Sequence, residues 1–322
     1  MNLQPLTSQR VLRAAVIGAG VFGRHHAAKY LRLPGVKLSA IADSSPDARH
    51  YVESHFPVPA VADWRELLGN VDIVSICSPA STHAAIVRAF LNAGAHVLVE
   101  KPIATDLDEA EELIALAAKR NLVLTVGHQE RFVFAKSGLL DYDDAPFFVE
   151  CVREGTWTGR GTDVSVVLDL MIHDLDLVHQ LVPGALAQVR ADGRSVYGEL
   201  ADSVTANLTF ANGTKVELIA NRAAAARRRS MRVVYPDGEI EIDFLTRTVT
   251  NTTDRKLQNL ELGDPLWESV AAFATAARAG ATTLVRPEEA RQALETALQI
   301  EEALAPASEI LSRDKPRLRR TA

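Results

Sequence analysis

The 322-residue sequence has only two cysteines, Cys77 and Cys151, and they lie far apart. A disulfide framework is therefore not expected, and a reducing cytoplasm is the simplest compartment. The chain also lacks an uninterrupted apolar run long enough to cross a bilayer, and its opening MNLQPLTSQR has no apolar core of a secretory signal. No membrane partner is expected. Positive charge is in deficit, because 35 Lys and Arg against 41 Asp and Glu leave a formal net charge of −6. Sequence-independent nucleic-acid affinity comes mainly from Lys and Arg neutralising phosphates, so a general nucleic-acid surface is disfavoured. There is no internal repeat and no low-complexity tract. No Cys or His cluster completes a recognisable metal site, so no metal is expected.

What is present suits two domains. From Arg13 to Gly127, strand-like runs at Ala14 to Ile17, Val36 to Ala42, Val71 to Cys77, His96 to Val99 and Leu122 to Val126 alternate with helix-like stretches. Those stretches are Phe22 to Leu33, Thr82 to Asn92 and Leu107 to Arg120, and Gly94 and Asn121 sit just past the last two. Such alternation predicts an α/β domain with a doubly wound parallel sheet. After Gly127 the strands pair locally. Val204 to Phe210 and Lys215 to Ala220 flank Asn212-Gly213, and Met231 to Tyr235 and Glu239 to Phe244 flank Asp237-Gly238. These dipeptides suit tight hairpins, so an α+β domain with a large, mainly antiparallel open sheet is expected. Two helices, about Pro265 to Ala279 and Pro287 to Leu304, follow. The expected division is 1–126, 127–310 and a solvated basic tail at 311–322.

A Gly-rich turn, GAGVFG from Gly18 to Gly23, stands between the first predicted strand and helix, with Asp43 about 20 residues on at the end of the next strand. That context is a Rossmann dinucleotide fingerprint. Gly18 permits the tight turn, Gly20 lets the backbone approach a pyrophosphate, and Gly23 allows close packing of helix on strand. Phosphates would sit on unpaired N–H groups at the helix start, beside Val21 and Phe22. A carboxylate at Asp43 accepts from a free ribose 2′-hydroxyl and repels a 2′-phosphate, so NAD is expected rather than NADP. The alternative is that Asp43 only caps the helix after Pro46. His25 and His26, as helix neighbours, point in different directions, so one is expected to pack and one to be exposed.

In VLDLMIHDLDLV, Val167 to Val178, Asp169, His173 and Asp176 have the i, i+4, i+7 spacing of one helix face, and Gln180 extends it. A polar stripe on so apolar a helix must pair internally or face a cavity. A structural Asp–His pair and a catalytic one both fit. In VLVEKPIA, Val97 to Ala104, Glu100 and Lys101 fall at the carboxyl end of a predicted parallel strand, where open α/β sheets bind ligands.

Taken together, the Gly18 turn, Glu100-Lys101-Pro102 and the helix carrying Asp169 and His173 resemble the Gfo/Idh/MocA oxidoreductases over nearly the whole chain. The resemblance implies a Rossmann domain followed by an α+β domain whose open sheet often forms an oligomer interface, hence a homodimer or homotetramer. It also implies that Lys101, Asp169 and His173 are catalytic and touch substrate. Ser78, Pro79 and His83, in CSPASTHAAIV, would line the dinucleotide with Glu100 and Lys101. VGHQERF, Val126 to Phe132, matches a domain-crossing strand in which Gln129 replaces a common Asn at a cofactor contact.

More narrowly, GTDVSVVLDLMIHDLDLV and NRAAAARRRSMRV are similar to members that oxidise the 3-hydroxyl of UDP-N-acetylglucosamine, preparing a 3-amino sugar for lipid A. Arginine suits bidentate phosphate recognition, so Arg160, Arg222 and the run Arg227 to Arg229 are diphosphate candidates. The mechanism expected is hydride transfer to NAD with His173 as general base, Asp169 orienting it and Lys101 stabilising the substrate oxygen. A cyclitol or free-sugar dehydrogenase, or an NAD-binding regulator without turnover, are the competing readings.

Overall fold

The computed structural model describes residues 10–159, 161–258 and 263–304. It divides into two units. One runs to Val133 and takes up the chain again from Gly263 to Arg291; the other starts at Phe134 and takes it up again at Gln292.

The first unit contains β1 (Leu12–Ile17), α1 (Val21–Arg32), β2 (Val36–Ala42), α2 (Pro46–His55), β3 (Ala60–Val61), β4 (Ile73–Ile76), α3 (His83–Asn92), β5 (His96–Val99), α4 (Leu107–Arg120) and β6 (Leu124–Val126). The short α5 (Glu130–Phe134) follows. The six strands form one parallel sheet in the order β3-β2-β1-β4-β5-β6. Local chemistry sets the boundaries. Ser45 caps α2, with Pro46 at its first turn, and Asp106 accepts from the Glu109 amide at 3.0 Å to start α4. Asn121, at φ 54°, ends α4 in the left-handed conformation that Asn tolerates.

In the second unit, β7 (Phe148–Glu154) is followed by a π turn, Val167–Met171, that leads into α6 (Ile172–Leu181). Then come β8 (Leu186–Arg194), β9 (Ser203–Phe210), β10 (Lys215–Asn221), β11 (Arg228–Tyr235), β12 (Gly238–Asp243) and β13 (Thr248–Asn251). The sheet order is β13-β12-β11-β7-β10-β9-β8, antiparallel except where β7 runs parallel to β10. Both Gly-containing hairpins form where the sequence places them, with Gly213 at φ 90° and Gly238 at φ 151°.

The closing helices divide differently from the expected boundaries. α7 (Pro265–Ala279) belongs to the first unit, while α8 (Pro287–Ala303) starts there and continues into the second. The cause is apolar burial: Leu266, Val270, Phe273 and Ala274 pack into one cluster with Leu12, Val16, Tyr30 and Leu38. Asp264, which caps α7, also receives the Lys29 ammonium from α1.

A buried ion pair fixes α6. Arg153 on β7 donates through Nε and Nη2 to the two oxygens of Asp174, at 2.9 and 2.7 Å, with both side chains almost wholly buried. Removing one partner strands a charge out of water, so Asp174→Ala should cost roughly 3–5 kcal/mol in urea unfolding. Arg153→Met combined with Asp174→Leu should recover most of it; an unaffected single variant would contradict the pairing.

His179, further along α6, is bonded through Nε2 to the Thr296 hydroxyl at 2.8 Å, and its buried Nδ1 has no partner. Burial pushes its pKa down to about 4, against a smaller opposing pull from Asp176. The neutral ring therefore favours the folded state, and this contribution is present above pH ~6.5 and lost as pH falls towards 4. Between pH 7 and 5 the loss should be about 2 kcal/mol, and His179→Gln should remove that part of the pH dependence in urea titrations.

Candidate functional site

The Gly-rich turn is built by contacts that no side chain would permit. A Cβ on Gly23 would lie 1.7 Å from the Gly18 carbonyl oxygen, and one on Gly18, at φ 93°, would lie 2.6 Å from the Cys77 carbonyl oxygen. At Gly20 the space is open, with nothing within 4 Å of a Cβ. Gly20 is also the cap of α1 and supplies no side-chain acceptor, so the first-turn N–H groups remain for a phosphate. Val21 and Phe22 are exposed beside it. A dinucleotide pyrophosphate fits this open cradle.

Asp43 is not the cap of α2; that is Ser45. Its carboxylate instead accepts from the Ala19 amide at 2.7 Å and the Ser45 amide at 2.8 Å, tying the end of β2 to the Gly-rich turn. Two arginines missed in the sequence lie close by. Arg24 donates through Nε to the Ala19 carbonyl at 2.7 Å and stacks 3.5 Å from the Tyr51 ring centroid, while Arg49 donates to the Asp43 and Ser44 carbonyls. The only available signal was Arg24's place directly after the third glycine.

At the end of β5 the structure contains a buried polar chain. The His26 ring bonds Glu100 Oε1 through Nε2 and Ser75 Oγ through Nδ1, each at 3.0 Å, and Tyr30 reaches Ser75 at 2.7 Å. A carboxylate only accepts, so Nε2 carries the proton, and the Ser75 hydroxyl bridges Nδ1 and the Tyr30 hydroxyl. Burial pushes the Tyr30 phenol pKa up, keeping it a donor. Gln129 also donates to Glu100 Oε1, at 2.8 Å, and the absent Cβ of Gly127 leaves room for the carboxylate. Burial would raise the Glu100 pKa, but the His26 hydrogen bond and charge, with those of Lys101 and His83, outweigh it and hold the group below the ordinary carboxylate range. Glu100 is thus anchored within the protein, and Lys101 beside it is half-buried. His26 packs and His25 is exposed.

His83 is fully buried rather than open to a ligand. Its ring bridges the Pro102 carbonyl at 2.7 Å and the Ser78 carbonyl at 3.0 Å, and burial lowers its pKa against both contacts. It braces the segment after Lys101, whereas Pro79 is exposed and Ser78 half-buried.

In the second unit, the helix is not the continuous α-helix of the sequence reading. The π turn shifts Asp169 from the regular i, i+4 register with His173; Asp169 and His173 are half-buried, while Asp176, further along α6, is 1% exposed. Gly161, at φ 64°, backs the Asp169 carboxylate: a Cβ there would lie 2.6 Å from an oxygen. Arg222, expected to meet a substrate phosphate, is turned inward. It donates to Asp202 at 2.6 Å and to the Gly161 and Val164 carbonyls at 2.6 and 3.0 Å, because the buried Asp202 carboxylate requires a cation. Arg229 lies half-buried on β11 opposite Arg153, and Arg160 and the basic tail lie outside the described residues. Among the described residues no cluster of His, Cys, Asp or Glu could hold a metal, and no helix is long and apolar enough to cross a membrane.

Two family models match: an oxidoreductase family with an NAD-binding Rossmann fold over residues 12–128, and the Gfo/Idh/MocA C-terminal domain over 142–241. The chain belongs to the Gfo/Idh/MocA oxidoreductase family. UDP-N-acetylglucosamine 3-dehydrogenase from Acidithiobacillus ferrooxidans is 37% identical over 239 residues, 74% of this chain and 76% of that protein. Its solved structure superposes with a TM-score of 0.83 at 34% identity, covering 91% of this chain and 97% of the other. An inositol 2-dehydrogenase/D-chiro-inositol 3-dehydrogenase from Shouchella clausii is 31% identical across 56% of this chain and 55% of its own length. Scyllo-inositol dehydrogenase from Lactobacillus casei, solved with NAD(H) and scyllo-inositol, shares the fold at TM-score 0.78 and 20% identity, covering 92% of this chain and 97% of that one.

For this Gfo/Idh/MocA protein, the Asp43–Ala19 bond predicts that Asp43→Ala loosens the turn. NAD affinity measured by calorimetry should fall about tenfold or more; an unchanged affinity would contradict the anchoring role.

Proposed function

We propose that this chain is an NAD-dependent dehydrogenase that oxidises a secondary hydroxyl of a sugar, the 3-hydroxyl of UDP-N-acetylglucosamine or of a related nucleotide sugar. The observation that carries this reading is the half-buried pair of Asp169 on the π turn and His173 at the start of α6, in a chain 37% identical to a UDP-N-acetylglucosamine 3-dehydrogenase. Lys101 completes the set. NAD, rather than NADP, is assigned because the Asp43 carboxylate stands at the turn and disfavours a second phosphate.

Gly18, Gly20, Gly23, Val21, Phe22 and Asp43 would hold the dinucleotide, together with Ser78, Pro79 and the Glu100–Gln129 pair. When bound, NAD supplies the acceptor for hydride from the sugar carbon. His173 removes the hydroxyl proton as general base, a role suited to an imidazole, whose ordinary pKa is about 6.5. Asp169, backed by Gly161, orients the ring and stabilises its protonated form. Lys101 hydrogen-bonds the substrate oxygen and stabilises its developing negative charge. The anchoring of Glu100 by His26 and Gln129 limits the positions open to the neighbouring lysine backbone. A cytoplasmic homodimer or homotetramer is the state that fits two free cysteines and the family's open sheet.

The test is reduction of NAD⁺ and NADP⁺, followed by nicotinamide absorbance, with UDP-N-acetylglucosamine, myo-inositol and simple aldoses. Turnover of the UDP-sugar with NAD⁺ is expected. His173→Ala should lower it by about 100-fold or more while leaving NAD binding intact. Near-normal turnover in folded His173→Ala rejects the assigned base, and turnover of myo-inositol alone moves the substrate to the cyclitols.

A further inference from the structure

The second unit contains a cleft of about 610 Å³ where the ends of β7, β10 and β11 meet the end of β8. Arg194, Arg227 and Arg228 line it, and Glu154 is its one acidic residue. None of these three guanidinium groups has a hydrogen bond or an ion pair among the described residues. That contrasts with Arg153, Arg222 and Arg255, each held by a carboxylate. Three cations gathered in one concavity with no carboxylate partner leave an unbalanced positive field, and their forked donors match phosphate oxygens.

An aromatic pair lies a short chain distance from the cleft. Trp157 follows Glu154 by three residues and Tyr197 follows Arg194 by three. Their rings stack at 4.0 Å between centroids, with 24° between planes. Tyr197 is 51% exposed, so an outer face remains open, and the Arg222 guanidinium backs Trp157 at 5.7 Å. Arg222 in turn donates to the Gly161 carbonyl, and Gly161 packs on Asp169. A continuous path within one unit therefore links the aromatic pair to the carboxylate assigned to orient His173.

We infer that this cleft binds the nucleoside diphosphate half of the substrate. Arg194, Arg227 and Arg228 take the diphosphate and the Trp157–Tyr197 pair stacks the base. The inference rests on the nucleotide-sugar reading above and adds which residues recognise the part of the substrate that does not react. Stacking on an aromatic face tolerates any base, so the arginines select for phosphate and the pair for a planar ring.

Calorimetry on the full NAD-loaded chain with UDP, UMP and inorganic pyrophosphate tests it. UDP should bind more tightly than pyrophosphate. Arg227→Ala combined with Arg228→Ala should weaken UDP about tenfold or more, as expected for lost charge-assisted hydrogen bonds, without changing NAD affinity. Tyr197→Ala, at an exposed position, should weaken UDP about tenfold and leave pyrophosphate unchanged. Equal UDP affinity in these variants, or no UDP binding by the unaltered chain, overturns the assignment. Oxidation of a free sugar or cyclitol without UDP binding removes the cleft's role and keeps the dehydrogenase. The predicted UDP pattern without oxidation of any nucleotide sugar keeps the cleft and removes the reaction.

Discussion

A carboxylate wholly or partly taken out of water must find donors inside the protein, and four such carboxylates hold the segments on which the candidate site residues lie. Asp43 accepts from the Ala19 amide and so ties the Gly-rich turn to β2. Glu100 accepts from His26 and Gln129, which holds the segment before Lys101. Asp174 takes both donors of Arg153 and fixes the helix after the π turn. Asp202 takes Arg222, whose remaining donors hold the 161–164 loop where Gly161 meets Asp169. For the buried Glu100, Asp174 and Asp202 the cost of burying charge is offset only when the partner's geometry is right, so the surrounding backbone has little freedom.

This constraint also separates arginines that build from arginines that remain available. Arg153 and Arg222 are buried and fully directed towards protein oxygens, whereas Arg194, Arg227 and Arg228 line an open cleft. Sequence position does not distinguish them: Arg222 and Arg227 lie five residues apart on either side of an alanine run. The sheet does, because Arg222 follows β10 on the side of the buried Asp202, while Arg227 precedes β11 at the surface.

The π turn is a second consequence of packing. Val167, Leu168 and Met171 are buried and the turn packs on β10, while Asp169 and Leu170 stay half-buried. The wider turn holds Asp169 and ends before His173, so it shifts Asp169 relative to the α6 residues, while His173 and Asp176 keep the regular i, i+3 spacing of α6. Two polar groups remain partly open, and the third joins the buried set with Asp174.

Much of the first unit was legible from the amino-acid sequence alone, because its signals are local. The glycine spacing, the β-α alternation and the acid at the end of the second strand are read within a few tens of residues, as are the Asn-Gly and Asp-Gly hairpins of the second sheet. The residue pattern also carried the family, through Glu100-Lys101-Pro102 and the Asp169–His173 spacing. Tertiary structure alone decided which polar groups are spent inside the protein: His83 as a brace between two carbonyls, His26 in the Glu100 chain and Arg222 against Asp202. It also assigned α7 to the first unit and placed the π turn. The reason is that a charged or apolar side chain takes whichever partner burial brings to it, and for His26 and Glu100 that partner is 74 residues away.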